Sequence, residues 1–294
     1  MPLELEILAE HLLNGLTLGA LYALVTLGLV LTFSVIGLVN FAHGDMFMVA
    51  GYTSFLFLNP SLKLPYPIVV LLVVAFTALY SVIIERVAIH PIIDRSWRTH
   101  AITTLGLSII LQNLALVIFS SDPRQTPTPY SSEIISPLGI RISLQRIIVL
   151  VTALVVFIGI QWFVRGTKLG KTMRAVSQNR EMCQVVGINV RRIALITFAI
   201  GGGITGLAAA LIIPLFSVYP TMGLTLTLKA LAAIVMGGMG QVNGALYAGF
   251  ILGLAESLFG GYVSFAYKDL VSFGLFIVVL FVRPQGLFGR KIGL

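Results

Sequence analysis

Three ionisable side chains lie inside long apolar runs of this sequence. His43 and Asp45 belong to the stretch VNFAHGDMFMVAGY (39–52), and Glu256 belongs to LGLAESLFG (252–260). Ionisable groups in apolar surroundings are costly, so they commonly mark proton relays or solute paths. Direct bonding between His43 and Asp45 is not favoured, because residues two apart on a helix do not share a face.

The dipeptide His43–Gly44 indicates a turn or the start of a helix. At a helix N-terminus, Asp45 can meet free backbone N–H groups and the positive end of the helix dipole. Two interpretations stay open: a gate or cytoplasmic mouth, or a cap that holds a broken segment in place. Glu256 has three interpretations, since it could snorkel to the interface, bond a neighbouring helix or couple to protons. Lys229 is predicted to snorkel from the other end of the same region.

The remaining residues show no spacing that is typical of catalysis. There is no Ser–His–Asp arrangement, no pair of catalytic carboxylates and no metal-ligand cluster, since structural zinc needs four ligands. The stretch GTKLGKT (166–172) has three residues between its glycines where a phosphate-binding loop has four. We therefore expect no enzyme, no metal and no cofactor, and assign any ATP hydrolysis to partner subunits.

The composition indicates an integral membrane protein. Hydrophobic residues make up 57% of the 294 positions and charged residues 10%, and the mean hydropathy is +1.00. Soluble domains carry roughly 25% charged residues. The net charge of +8 arises from basic residues clustered at the ends of apolar segments, which favours membrane topology over nucleic-acid binding. The single cysteine, Cys183, permits no internal disulfide.

The apolar segments predict an all-α polytopic bundle of eight or nine helices, as one transmembrane domain over 1–294. A spanning helix needs about 20 apolar residues. Six segments meet this requirement: 16–36, 66–86, 101–119, 146–164, 193–216 and 266–282. Two others, near 42–58 and 228–244, are short or interrupted by glycine, which is typical of broken or re-entrant helices. Whether 228–239 crosses the membrane stays open. The small residues of 199–211 predict close helix packing.

The distribution of Lys and Arg places the N-terminus outside and the C-terminus in the cytoplasm. If the N-terminus is outside and every segment crosses the membrane, the stretches 86–100, 165–192 and 283–294 are cytoplasmic. These stretches hold 13 of the 19 basic residues. The acidic residues 1–15 are predicted to form a short amphipathic lead-in on the outer face. The Pro- and Ser-rich stretch 120–145 is predicted to be an outer loop that serves as a lid, a docking surface or a plain linker.

The most polar stretch of the chain is LGKTMRAVSQNREMCQVVGINVRR (169–192). Residues 170–187 are predicted to form a short cytoplasmic helix that ends at Gly187. Its apolar face comprises Met173, Val176 and Cys183, and its polar face comprises Arg174, Gln178 and Glu181. A helix held parallel to the membrane can transmit force between a soluble motor and the spanning helices.

At these residues the chain resembles the permease subunits of ATP-binding-cassette importers, specifically the branched-chain amino acid permeases of the hydrophobic amino acid uptake family. The resemblance covers nearly the whole chain. It rests on NGLTLGALYALVTLGLVL (14–31), VNFAHGDMFMVAGY (39–52), GKTMRAVSQNREMCQVVGINVRR (170–192), VMGGMGQVNGALYAGFILGLAES (235–257) and YKDLVSFGLFIVVLFVRPQGLFGR (267–290). Asn179 departs from the family's usual Asp, and Asp45 from its usual Glu.

This resemblance implies a permease domain in the bacterial inner membrane. The implied partners are a second permease subunit, two cytoplasmic ATPases, a periplasmic solute-binding protein, an amino-acid substrate and membrane lipid, without nucleic acid. Residues 166–192 would be the cytoplasmic coupling loop, and 120–145 a periplasmic loop. The residues that would couple the chain to the ATPase are Arg174, Ala175, Gln178, Arg180, Glu181 and Gly187.

The function predicted from the resemblance is ATP-driven import of leucine-like amino acids. We expect the solute path to involve Asn40, His43, Asp45, Gln112, Asn113, Gly237, Gly238 and Gly240. A urea or short-chain amide permease of the same architecture is the first alternative, and an ion-coupled secondary carrier is the second. The identity of the solute, and the pairing of the permease with itself or with a relative, stay open.

Overall fold

The longest helix, α1 (Leu3–Ile36), is the centre of the bundle. The computed structural model describes residues 3–135 and 142–289. Within those ranges the other α-helices are α2 (His43–Phe57), α3 (Tyr66–Ile84), α4 (Trp97–Phe119), α5 (Pro129–Ser132), α6 (Leu144–Gly166), α7 (Lys168–Gln178), α8 (Arg180–Val185), α9 (Val190–Ile212), α10 (Met222–Gly237), α11 (Val242–Tyr262) and α12 (Lys268–Val282). The strands β1 (Ile134–Ile135) and β2 (Ile142–Ser143) pair antiparallel. The predicted outer loop 120–145 thus contains α5 and these strands, and its residues 136–141 lie outside the described ranges.

Seven helices of the described chain are long and apolar enough to cross a membrane. They are α1, α3, α4, α6, α9, α11 and α12. The prediction of an all-α polytopic bundle is confirmed, and each of the six predicted spans falls on one of these helices. The number of segments that cross and the orientation of the termini stay predictions.

The helices divide into a central and a peripheral group. In the most apolar 18-residue stretch of each helix, 89% of the residues are buried in α1 and 72% in α9, against 17% in α4 and 11% in both α6 and α12. The peripheral helices therefore present apolar side chains around the bundle, as expected where lipid surrounds a protein. The central helices pack closely through small residues: a Cβ on Gly201 of α9 would lie 2.9 Å from the carbonyl oxygen of Gly28 on α1.

The two short helices, α2 and α10, have 15 and 16 residues. At a rise of about 1.5 Å per residue, each is shorter than the roughly 30 Å hydrocarbon core of a bilayer. The break predicted within 228–244 is confirmed, because α10 ends at Gly237 and α11 begins at Val242. The short segment predicted near 42–58 is also confirmed, although α2 itself is an unbroken helix.

Helix α2 begins inside the bundle. His43, its first residue, places Nε2 3.2 Å from the carbonyl oxygen of Val25 in α1. Val25 precedes Ile36, the last residue of α1, by 11 positions, which is about 16 Å along the helix axis. The non-helical residues 37–42 therefore lead the chain back into the bundle before α2 starts.

Two helix boundaries differ from those expected from the sequence. The predicted lead-in is continuous with α1 over residues 3–15, because Leu, Glu and Ala favour helix and neither Gly nor Pro interrupts them before Gly15. The single helix predicted over 170–187 is divided into α7 and α8 at Asn179. The extended backbone of Asn179 lets its Oδ1 accept a hydrogen bond from the Met182 N–H at 2.9 Å, which caps α8.

Candidate functional site

The N-terminal turns of α2 and α10 cross inside the bundle. The backbone N–H of Gly44 donates to Oγ1 of Thr227 at 2.8 Å. The Thr227 hydroxyl lies 3.1 Å from the carbonyl oxygen of Phe41 and 3.0 Å from that of Gly223, to which it can donate. A Cβ on Gly44 would overlap the Gly223 carbonyl, so only glycine permits this separation of the two helices.

His43 joins three helices at this crossing. Its Nε2 lies 3.2 Å from the Val25 carbonyl of α1 and 3.0 Å from Oγ1 of Thr205 on α9, and the side chain is buried. A neutral imidazole that carries its proton on Nε2 can donate to the carbonyl. The turn before α2 is held by Asn40, whose Oδ1 accepts from the Ala42 N–H at 3.0 Å.

Asp45 connects α2 to α4. The amide of Gln112 donates to Oδ1 of Asp45 at 3.1 Å and lies 2.9 Å from the Ser108 hydroxyl. Asp45 is in the first turn of α2, where the helix dipole favours a carboxylate. The structure thus brings the predicted path residues Asp45 and Gln112 together. Asn113 is exposed and donates to the Ile109 carbonyl of its own helix at 2.8 Å, so it stands apart from this group.

The three predicted path glycines lie at the end of α10 and in the turn that leads to α11, at the far end of α10 from the crossing. Gly237 packs directly on the backbone of Gly244. Gly238 and Gly240 have φ angles of +96° and +78°, which favour glycine. These residues shape a tight helical hairpin, and Gly240 also lines a cavity.

Two cavities of about 410 Å³ each lie toward opposite ends of the bundle. The inner cavity, on the predicted cytoplasmic side, is lined by α1, α6, α7 and the turn 240–243, and it includes Arg174, Gln178 and Gly240. The outer cavity, on the predicted outer side, is lined by α1, α10, the segment 212–219 and the start of α12, and it includes Tyr22, Lys229 and Asp269. Leu18 and Tyr22 of α1 face the outer cavity and Ser34 the inner one.

A buried ionic cluster forms one side of the outer cavity. The ammonium of Lys229 on α10 bonds the carboxylate of Glu256 on α11 and lies 2.7 Å from Oδ1 of Asp269 on α12. The Tyr22 hydroxyl of α1 donates to Glu256 and lies 3.1 Å from the Lys229 ammonium. The prediction that Lys229 snorkels is wrong, because carboxylates on two other helices satisfy its charge inside the bundle. Of the three interpretations of Glu256, the structure supports the bond to neighbouring helices, since Tyr22 of α1 and Lys229 of α10 both bond its carboxylate.

Sequence reasoning missed this cluster because its members come from four helices. The sequence does hold one signal for the pair: Lys229 lies within an apolar helix, and Glu256 lies within the next. Glu85 was also missed: it stands at the end of a predicted span, yet it is buried, and its Oε1 lies 3.4 Å from Nδ1 of His90.

The polar loop, α7 and α8, rests on the inner end of the bundle. Its predicted apolar face is confirmed, since Met173, Val176 and Cys183 are buried. The residues of the predicted polar face, Arg174, Gln178 and Glu181, are exposed. Arg180 reaches toward the end of α1, with Nη1 3.5 Å from the Ile36 carbonyl. Ala175 is half-buried, and Gly187 has a φ of +83° just after α8.

The sequence matches, over residues 11–280, the family described as "Branched-chain amino acid transport system / permease component". The chain belongs to this permease family. It is 33% identical, over 96% of its own length and 95% of the relative's, to the high-affinity branched-chain amino acid transport system permease protein BraD of Pseudomonas aeruginosa. The identity is 32% over the same shares to the permease protein LivH of Escherichia coli K12.

More distant permeases also match along most of the chain. The ribose import permease protein RbsC of Haemophilus influenzae is 23% identical over 96% of this chain and 87% of its own length. No solved structure matches.

The family match and the branched-chain permease relatives confirm the family predicted from the motifs. The protein is a membrane permease subunit of a transport complex rather than an enzyme.

Proposed function

We propose that this chain is a permease subunit of an ATP-driven importer of branched-chain, leucine-like amino acids in the bacterial inner membrane. The observation that carries the proposal is the match over 96% of the chain to relatives named as branched-chain amino acid permeases. No observation favours the urea or amide permease or the ion-coupled carrier. A second permease subunit, two cytoplasmic ATPases and a periplasmic binding protein complete the proposed importer.

The loop from Gly170 to Gly187 is the proposed docking site for an ATPase. Its apolar side chains are buried against α1, α6 and α9, while Arg174 and Glu181 are exposed for a soluble partner. Packing of this kind supports force transmission, because a displacement of α7 must move α1 or leave apolar surface unburied. The contact between Arg180 and the Ile36 carbonyl lies at the same junction.

In this proposal, the crossing of α2 and α10 is where the solute path is closed. His43 and Asp45 connect this crossing to α1, α9 and α4, so a shift of α1 acts on the crossing directly. The glycines 237, 238 and 240 would allow the inner end of α10 to turn. Asn113 would reach the path only from the exposed face of α4, where a second permease subunit can pack.

Purification of the tagged chain from native membranes tests the assignment. Mass spectrometry should recover two cassette ATPases and a second permease, and the reconstituted complex should take up leucine only with ATP and the binding protein. The double variant Arg174→Glu/Glu181→Arg should lose the ATPases. Recovery of the chain alone, with leucine uptake driven by an ion gradient, would overturn the proposal.

A further inference from the structure

The inner cavity carries positive charge and polar side chains. Arg165 of α6 and Arg174 of α7 line it, and none of the described residues in its lining is Asp or Glu. The other polar groups of the lining are amides and hydroxyls, from Ser34, Gln161, Ser177, Gln178, Gln241 and Asn243. Guanidinium groups are the side chains that best match the oxygens of a phosphate. The chemistry of the cavity therefore favours an anion that carries phosphate.

The two arginines meet where α6 ends and α7 begins. Nη2 of Arg174 donates to the carbonyl oxygen of Arg165 at 3.4 Å, so the Arg174 guanidinium lies at the last turn of α6. Like charges at short range repel each other, and a bound anion offsets that repulsion. An anion in the cavity would thus be attracted by α6 and by α7 at the same time.

An exposed apolar face of α6 leads to this junction. The α6 stripe consists of Val151, Val155, Ile158 and Trp162, which are all exposed and recur at intervals of three or four residues on one side of the helix. Arg165 continues the same side three positions further on. From Val151 to Trp162 the helix rises about 16 Å, which is close to half of the roughly 30 Å hydrocarbon core. The stripe therefore has the length of one leaflet of a bilayer.

Trp162 lies at the end of the stripe that is nearest the cavity. Its side chain is 71% exposed, and a Cβ on Gly166 would lie 3.6 Å from its Nε1, so the indole N–H is near the end of α6. Tryptophan is enriched at the level of lipid headgroups, with its N–H toward the polar side. Arginines at the cytoplasmic boundary of a membrane helix attract anionic headgroups. The apolar stripe, the tryptophan and the arginines follow one another in the order of the parts of a phospholipid.

We propose that the inner cavity binds the phosphate of an anionic phospholipid of the cytoplasmic leaflet. Arg165 and Arg174 hold the phosphate between α6 and α7, and an acyl chain lies along the α6 stripe. The bound lipid thereby ties the polar loop to a peripheral helix. This site goes beyond the proposed function, since it does not depend on which solute is carried.

Quenching of Trp162 by brominated lipids tests the site. The chain contains two tryptophans, so the exposed Trp97→Phe leaves Trp162 as the single reporter. Bromine on an acyl chain quenches a tryptophan only on contact. The purified full-length chain is placed in phosphatidylcholine bilayers that contain increasing fractions of brominated phosphatidylglycerol, which is anionic, or of brominated phosphatidylcholine, which is zwitterionic.

Half-maximal quenching should need at least about fivefold less brominated phosphatidylglycerol than brominated phosphatidylcholine, because one arginine near an anionic lipid strengthens binding roughly fivefold. Arg165→Gln should reduce this preference roughly fivefold, whereas Arg165→Lys, which keeps the charge, should retain it. Arg98→Gln is the matched control, because Arg98 is an exposed arginine on the same predicted side that does not line the cavity. It should leave the preference at Trp162 unchanged. Arg174 is kept, since it also belongs to the proposed docking site for an ATPase.

Three results of the quenching experiment would overturn the proposal. Equal quenching by the two lipids would show that the cavity does not select an anionic headgroup. An equal loss of preference in the Arg98→Gln and Arg165→Gln variants would show general attraction to a basic surface. Loss of preference on addition of inorganic phosphate, but not of sodium chloride at equal ionic strength, would assign the cavity to a free anion. Unfolding temperatures establish that the variants are folded.

Photo-crosslinking identifies what covers the stripe in the native complex. Ile158 of the tagged chain is replaced by p-benzoylphenylalanine, and membranes that contain the whole complex are irradiated. Mass spectrometry of the purified chain should find adducts of phospholipids, and the anionic fraction of these adducts should fall in the Arg165→Gln variant. An adduct with a second permease subunit in their place would show that a protein occupies the stripe and would overturn the lipid site.

Discussion

Lys229 on α10 forms a buried ion pair with Glu256 on α11, 27 positions further along the chain. The Tyr22 hydroxyl of α1 bonds the same carboxylate, and Asp269 of α12 pairs with Lys229, so the cluster ties four helices together. A buried pair contributes little net stability when it is intact, because desolvation of both ions offsets their attraction. Its effect on the fold becomes visible when one partner is removed.

Replacement of one member of this pair should therefore cost more than replacement of both. Lys229→Met or Glu256→Gln should lower the free energy of unfolding by about 3–5 kcal/mol, since each leaves a buried charge without its main partner. The double variant Lys229→Met/Glu256→Leu should recover part of that loss, since Asp269, which also loses its partner Lys229, is half-exposed and can be solvated. Thermal unfolding of the purified complex in detergent measures the effect, with the exposed Lys63→Met as control. Strictly additive losses would contradict this account of the pair.

The crossing of α2 and α10 should reject even a methyl group. A Cβ on Gly44 would overlap the Gly223 carbonyl, whereas a Cβ on Gly106 of α4 would meet nothing within 4 Å. Gly44→Ala should destabilise the protein by about 1–3 kcal/mol or more through overpacking. Gly106→Ala, also within a helix, should be neutral or stabilising by up to about 1 kcal/mol. Folded yield and unfolding temperature compare the pair, and equal tolerance of the two alanines would rule out the tight crossing.

Two adjacent amides on α4 should differ in importance. Gln112 donates to the buried Asp45 of α2, whereas the exposed Asn113 donates to the Ile109 carbonyl of its own helix. Gln112→Leu should lower leucine uptake and cost about 1–3 kcal/mol of stability, because Asp45 loses a hydrogen bond in the interior. Asn113→Leu should be close to neutral for stability. Initial uptake rates and unfolding temperatures of the two variants settle the comparison, and a reversed order would count against the placement of Gln112 in the path.

The spans were predictable because each depends on local sequence alone. About 20 apolar residues are sufficient to identify a helix such as α6, and the glycines from 237 to 244 were sufficient to predict a break. The ionic cluster was not predictable from local sequence. The burial of Lys229 depends on Glu256 and Asp269, which other helices bring to it.

The candidate site was predictable in its residue types but not in its contacts. Asp45 and Gln112 could each be identified as polar groups in apolar segments, yet their hydrogen bond joins residues 67 positions apart. The depth of His43 inside the bundle likewise follows from its contact with Val25, for which the sequence holds no local signal. Asn179 is the contrary case, since its preference for the N-cap position could have predicted the division between α7 and α8.

Charge reversal on the exposed loop should separate ATP hydrolysis from transport. Arg174 and Glu181 are exposed, and Nη2 of Arg174 donates a long, exposed hydrogen bond of 3.4 Å to the carbonyl oxygen of Arg165. Reversal of the two charges therefore disturbs little of the fold. Charge pairs at an interface stabilise the correct partner, and like charges facing each other cost several kcal/mol. Arg174→Glu with Glu181→Arg should therefore reduce ATP-dependent leucine uptake at least about tenfold, a change of about 1.4 kcal/mol or more.

The matched control reverses a charge on the opposite, predicted outer face. Lys63→Glu should keep the wild-type ratio of leucine taken up to ATP hydrolysed, because Lys63 is exposed and remote from α7 and α8. Both quantities are measured in the same proteoliposomes, and unfolding temperatures confirm that the variants are folded. Normal uptake by the loop variant would show that α7 and α8 do not couple to the ATPase. The basic residues of the loop would then serve only to orient the chain in the membrane, where Lys and Arg favour the cytoplasmic side.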